Sequence, residues 1–182
     1  MVMTNIMIVL FGFIGVCLLL IWYVNIYNRF QTFIIRINEA EANIDSVLRK
    51  RFDLLNKSIG IIKSVVQEED VLPIITKLKS KKLSNFELDR SLYEAINEYT
   101  NYKEEHKELL KNESFVKIDI SLNESEAEIV ALRKYYNDII TDYNAIARSF
   151  PSNIVRIISK YKIRTYFDGK NMEDDDINDF KL

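Results

Sequence analysis

The chain is poor in the residues that cross-link or punctuate a fold. Its 182 residues include one cysteine, one histidine, four glycines and two prolines. One cysteine excludes an intramolecular disulfide and a thiolate metal cluster. One histidine excludes the two Glu-x-x-His copies of a di-iron bundle site, and the residue three before His106 is Lys103. With the lone cysteine inside an apolar run, neither a Cys-His nor a Ser-His-Asp nucleophile is expected, nor any metal or other cofactor. Outside the first 27 residues the only glycines and prolines are Gly60, Gly169, Pro73 and Pro151. No glycine cluster exists to cradle a phosphate. Sheet-rich folds need more turn residues than this; long helices do not.

Charge of one sign is also scarce. The 25 basic and 27 acidic residues are interspersed, for a net charge of −2. No basic stripe marks a nucleic-acid partner. The one imbalance is residues 168–182, with six acidic and two basic side chains. That stretch reads as an acidic, disordered tail.

What the chain does have is a run of 19 residues, Ile6 to Val24, without a charge. As a helix it reaches about 29 Å, close to the hydrocarbon thickness of a bilayer. Trp22, Tyr23 and Tyr27 stand at its C-terminal end, where an aromatic belt lies at headgroup level. Residues 1–27 therefore read as a single transmembrane anchor, spanning 6–24, with the lipid bilayer as its partner. Residues 1–5 lack Lys and Arg, whereas Arg29, Arg36, Arg49, Lys50 and Arg51 follow the span. The positive-inside tendency puts the N-terminus outside the cell membrane and the remainder in the cytoplasm.

Residues 28–167 read as one helical domain. Ile44, Leu48, Phe52, Leu55, Ile59, Ile62 and Val66 recur at steps of three and four. With no breaker before them, this helix is expected to continue unbroken from the span to about Glu69. Gly60 lies within it, and close packing of a neighbour is its simplest expected role. Pro73 ends the run, a short helix is expected at 72–78, and 77–84 reads as a basic linker. Ser84 to Glu87 forms a capping box and opens a second helix. Its stripe is Leu88, Leu92, Ala95, Tyr99, Tyr102, His106 and Leu109, with an end expected near Asn112 and His106 at a seam or edge. Residues 114–120 read as an extended connector. A second capping box, Ser121 to Glu124, then opens a helix with a heptad stripe: Ile129, Leu132, Tyr136, Ile139, Tyr143, Ile146 and Phe150. Pro151 closes it and starts a short terminal helix over 152–161. The fold class is all-α: a transmembrane helix continuing into the long helix of an antiparallel three- to four-helix bundle.

Two stretches carry a family resemblance. The first contains Ala42, Ile44, Asp45, Leu48, Arg51, Asp53 and Leu54, in the pattern A-x-I-D-x-x-L-x-x-R-x-D-L. The second contains Glu126, Arg133, Tyr136, Asn137, Tyr143, Asn144, Phe150 and Pro151, in the pattern E-x6-R-x2-Y-N-x5-Y-N-x5-F-P. Together, behind an N-terminal apolar helix, they resemble the LemA family. The resemblance implies an anchored helical bundle of bacterial type and supplies no reaction. Asp45, Arg51, Asp53, Glu126, Arg133, Tyr136, Asn137, Tyr143 and Asn144 form a candidate polar ladder. The two Tyr-Asn pairs, a heptad apart, are placed to bond to a neighbouring helix, and Glu126 to meet Arg133. A structural role for the ladder is the first expectation. The protein is then a non-enzymatic interaction or scaffold module for a protein partner at the membrane. A ligand or catalytic site on the ladder is the alternative. A self-assembling membrane-surface protein, a homo-oligomer, is the other, although Gly12 and Gly15 are spaced three apart rather than the four of the small-residue dimer motif.

Overall fold

A computed structural model describes residues 2–68, 71–78 and 83–167. Among these residues the elements are all helical. In chain order they are α1 (Val2–Val66), α2 (Pro73–Leu78), α3 (Asn85–Glu105), a 3-10 turn (Lys107–Lys111), α4 (Glu113–Arg148) and α5 (Ser152–Ile158). A long N-terminal apolar helix leads into a helical bundle, as the sequence predicts.

α1 is 65 residues without a proline, so its ladder of hydrogen bonds is never forced open. Gln67 then turns into the left-handed region at φ 64°, and its N–H closes on the Lys63 carbonyl at 3.2 Å. That turn stops the helix at Val66; Glu69, the expected end, lies outside the described residues. So do most of the expected linker at 79–82 and the acidic tail from 168 on.

The chain divides into two compact units. The first comprises Met1–Asn38 and Asp138–Thr165. Its core is Phe30, Phe33 and Ile37 of α1 with Ile140, Tyr143 and Ala147 of α4 and Val155 of α5, all buried. Phe30 meets the Tyr143 ring edge-on at 5.7 Å and lies 5.1 Å from the Tyr161 ring. These offset geometries suit the ring quadrupoles. α5 ends on a reverse turn in which Lys160 has φ 57° and Tyr161 N–H bonds the Arg156 carbonyl at 3.0 Å. This is the arrangement that usually calls for glycine, and here it folds Tyr161 back onto Phe30. α1 has one stretch long and apolar enough to cross a membrane, and none of it is buried within the protein.

The second unit comprises Glu39–Asn137 and Tyr166–Leu182. Ala40, Ile44, Leu48, Leu55 and Ile62 of α1 are buried here, as are Ile75 of α2, Leu92, Ala95 and Tyr99 of α3, and Phe115, Leu122 and Ile129 of α4. The Ser84 capping box forms as expected, with Glu87 N–H on Ser84 Oγ at 3.3 Å and Ser84 N–H on Glu87 Oε2 at 3.0 Å. α3 stops at Glu105, and His106 is its C-cap, half-buried against Tyr102.

Several expectations fail. Residues 114–120 are not an extended connector but the first two turns of α4. Phe115, Ile118 and Leu122 follow helical spacing and are buried, and Asn112 Oδ1 caps the helix by accepting from Ser114 and Phe115 N–H. Ser121 therefore lies inside α4, where the carbonyl one turn back already takes each N–H and nothing is left to cap. Phe150 does not belong to the seam: it is 80% exposed, and Ala147 is buried instead. α4 ends at Arg148, so Phe150 lies in the turn before α5, where the helical stripe no longer places it. Gly60 does not make room for a neighbour, since a Cβ there would meet nothing within 4 Å.

Candidate functional site: a charged cluster and a polar pocket

In the second unit, the inner face of α1 is not wholly apolar. Arg51 and Ser58 are buried beside Leu48 and Leu55. Ser58 satisfies its own helix by donating to the Leu55 carbonyl at 2.7 Å. Arg51 is 2% exposed and must find an anion, because an unpaired buried cation is strongly disfavoured. It donates through Nη2 to Glu126 of α4. Arg133, two turns further along α4, donates from Nη2 to Asp89 of α3 at 2.6 Å.

The two pairs are electrostatically joined. Burial pushes the Asp89 carboxyl above the ordinary carboxylate range; Arg133 and then Arg51 pull it back, and Glu126 adds to the rise. Two cations and two anions thus tie α1, α3 and α4 together. The Nε atoms of Arg51 and Arg133 are buried and have no partner.

Beside this cluster lies a pocket of about 180 Å³, lined by Arg51 and Glu126 and by Tyr93, Asn97, Tyr99, Thr100, Asp119 and Asn123 among others. Tyr99 donates its hydroxyl to Asp119 Oδ1 at 3.3 Å, and Lys103 Nζ reaches the same oxygen at 2.8 Å. Burial and then Asp119 push the Tyr99 phenol far up, so it stays a donor. The volume is below the roughly 300–1,000 Å³ of ordinary small-molecule sites. Among the described residues, no group of three or more His, Cys, Asp or Glu side chains is placed to hold a metal ion.

The predicted ladder separates into different tasks. Arg51, Glu126 and Arg133 meet in the charged cluster, but Glu126 pairs with Arg51 rather than with Arg133. Asp45 binds Arg49 at 2.7 Å on the exposed flank of α1, and Asp53 is exposed on the same helix. Tyr136 donates to Glu41 Oε1 at 3.2 Å, the one ladder tyrosine that bonds to a neighbouring helix. The other three hold the segment after α5. In the second unit, Asn137 Oδ1 accepts from Phe167 N–H at 2.8 Å. In the first unit, Tyr143 donates to the Lys162 carbonyl at 2.7 Å. There Asn144 donates to the Arg164 carbonyl at 2.8 Å and accepts its N–H at 3.0 Å. A side-chain amide carries a donor and an acceptor in the same planar arrangement as a peptide, so it can satisfy a strand that has no sheet.

Sequence reasoning missed Asp89, Asp119 and Glu41. Asp89 was detectable: it lies three residues before Leu92, on the flank of the α3 stripe, where a charge needs a partner. Asp119 was hidden by the misreading of 114–120.

No curated protein matches the chain with significant sequence similarity. Residues 40–178 match the LemA family, a span that holds all nine ladder residues, both charged pairs and the pocket. The chain belongs to the LemA family.

Proposed function

We propose that this protein is a single-pass membrane protein whose helical bundle stands at the cytoplasmic face as a non-enzymatic interaction module. The carrying observation is α1: its apolar stretch is wholly unburied, yet it is continuous with a helix whose next turns are core. A run of apolar side chains this long is tolerable only in lipid or in another protein. Charge supports the orientation. The first unit holds seven basic and two acidic residues, a net +5, and all nine follow the span in sequence. The positive-inside tendency assigns that side to the cytoplasm. The module reading rests on the ladder, whose described polar groups are largely spent on internal bonds. Exposed side chains such as Tyr93 and Val130 then remain for a partner.

Resistance to alkaline carbonate tests the anchor, and protection of C-terminal sites from external protease in intact cells tests the orientation. Release at alkaline pH would remove the anchor, and cleavage in intact cells would reverse the orientation. Photo-crosslinkers at Tyr93 and Val130 test the module: a discrete adduct in membranes is expected, and its absence at every exposed site of the second unit would count against it.

One observation favours a second reading, a small polar ligand in the pocket: Arg51 lines it and has an unpartnered Nε. Thermal shifts of the full chain with small anions, abolished by Arg51→Met, would support that reading; no shift with any of them would dismiss it.

A further inference from the structure

Among the described residues, nothing covers one apolar face of α5. Ser152 and Val155 turn inward and are buried, while Ile154, Ile157 and Ile158 are 42%, 62% and 61% exposed. The three isoleucines are spaced i, i+3, i+4 and so share one side of the helix. Phe150, 80% exposed, extends the patch at the turn before α5.

The position of this face along α1 is fixed by contacts within the first unit. Ser159, the residue after Ile158, bonds through Oγ with the Tyr23 hydroxyl at 3.1 Å. The Tyr161 ring lies tilted against Tyr27 at 6.0 Å and its hydroxyl accepts from Gln31 Nε2 at 2.6 Å. Tyr23 is the penultimate residue of the 6–24 stretch. The C-terminal end of α5 is therefore level with the aromatic belt, where hydrocarbon gives way to headgroups.

The charges around it match that boundary. Arg29, Arg148, Arg156, Lys160, Lys162 and Arg164 are all in this unit, whose only acidic residues are Asp138 and Asp142. An isoleucine face flanked by cations beside the end of a membrane span has the composition of an interfacial helix.

We propose that α5 and Phe150 dip into the headgroup layer of an anionic leaflet, so that the protein holds the bilayer by a shallow second contact beside its span. The proposal rests on the anchor reading above, and its test keeps the two apart. Full-length protein carrying Cys17→Ser and Ile157→Cys, labelled with a polarity-sensitive fluorophore, is reconstituted into phosphatidylcholine vesicles with or without phosphatidylglycerol. Trp22, the only tryptophan, reports the anchor through quenching by brominated lipid. The label at 157 reports α5 through a blue shift and quenching by lipids labelled at the headgroup end.

Expected are quenching at both positions, stronger at 157 with phosphatidylglycerol, and a water-exposed label at a Tyr93→Cys control. Lys160→Gln with Lys162→Gln should weaken the docking equilibrium by roughly fivefold per charge in anionic vesicles. Quenching of Trp22 with a water-exposed label at 157 overturns the interfacial contact and leaves the anchor standing. Loss of quenching at both positions overturns both. A shift at 157 that appears only at high protein-to-lipid ratio assigns the face to a second copy of the chain and also overturns the proposal. Ile154→Cys, labelled in the same way, repeats the measurement should the change at Ile157 disturb folding.

Discussion

Arg51 and Glu126 form a lopsided pair: the arginine side chain is 3% exposed, the glutamate 49%. One charge is committed to the interior while its partner remains at the edge of water. Replacing Glu126 strands the cation, and replacing Arg51 frees a carboxylate that water can take.

We therefore expect Glu126→Ala to destabilise the second unit by about 1–3 kcal/mol, less than the 3–5 typical when both partners are deeply buried. Adding Arg51→Met should recover part of that loss. Denaturant unfolding of the detergent-solubilised protein gives both values. A double variant worse than the sum of the singles would contradict this account.

Asn144 is buried and makes two bonds to the backbone of Arg164. Asn144→Ala removes both and leaves two peptide groups to find water, at about 2–4 kcal/mol. The segment it holds contains Lys160, Lys162 and Arg164, so trypsin should cut there much faster in the variant. Unchanged cleavage would show that the asparagine holds nothing.

Asp89 is held above the ordinary carboxylate range, chiefly by burial. Its folded form binds a proton more readily than its unfolded form. The group therefore favours folding at pH below its unfolded pKa, and that advantage is lost as pH rises through its folded pKa. The thermal midpoint of Asp89→Asn relative to the parent should rise as pH climbs above the ordinary aspartate range. Two parallel curves would remove Asp89 as the source.

Gly60 is mid-helix with open space where a Cβ would stand. Gly60→Ala should stabilise by about 1 kcal/mol, since alanine restricts the unfolded chain and meets no obstacle in the folded one. A lowered thermal midpoint would reveal a neighbour at that face.

Much of the architecture was legible in the sequence for physical reasons. The uncharged run, the α1 stripe and the Ser84 box are local signals, and local geometry honours them. The error at 114–120 arose because Val116, Ile118, Ile120 and Leu122 alternate with polar residues, the period of an extended segment; only when Phe115 and Ile118 are joined to Leu122 and Ile129 does one helical face emerge. The site was half legible. Arg51, Glu126 and Arg133 are identifiable as charges near apolar stripes, but which carboxylate meets which arginine depends on the register between helices, which no single helix encodes. The asparagines presented a harder problem, because their partners are backbone groups, and a backbone group has no sequence signature.

Phe30, Phe33 and Ile37 belong to the same helix as the apolar stretch, about two to four turns past Val24, and they are locked in the first unit's core. A helix turns about 100° per residue, so their packing sets the azimuth of every residue before them. The apolar stretch thus has a front and a back: the bearing of Cys17 and of Trp22 is decided by packing beyond it. One residue inserted between Val24 and Phe30 would turn the whole span by about 100°, whereas four would return it to within about 40° of its starting bearing.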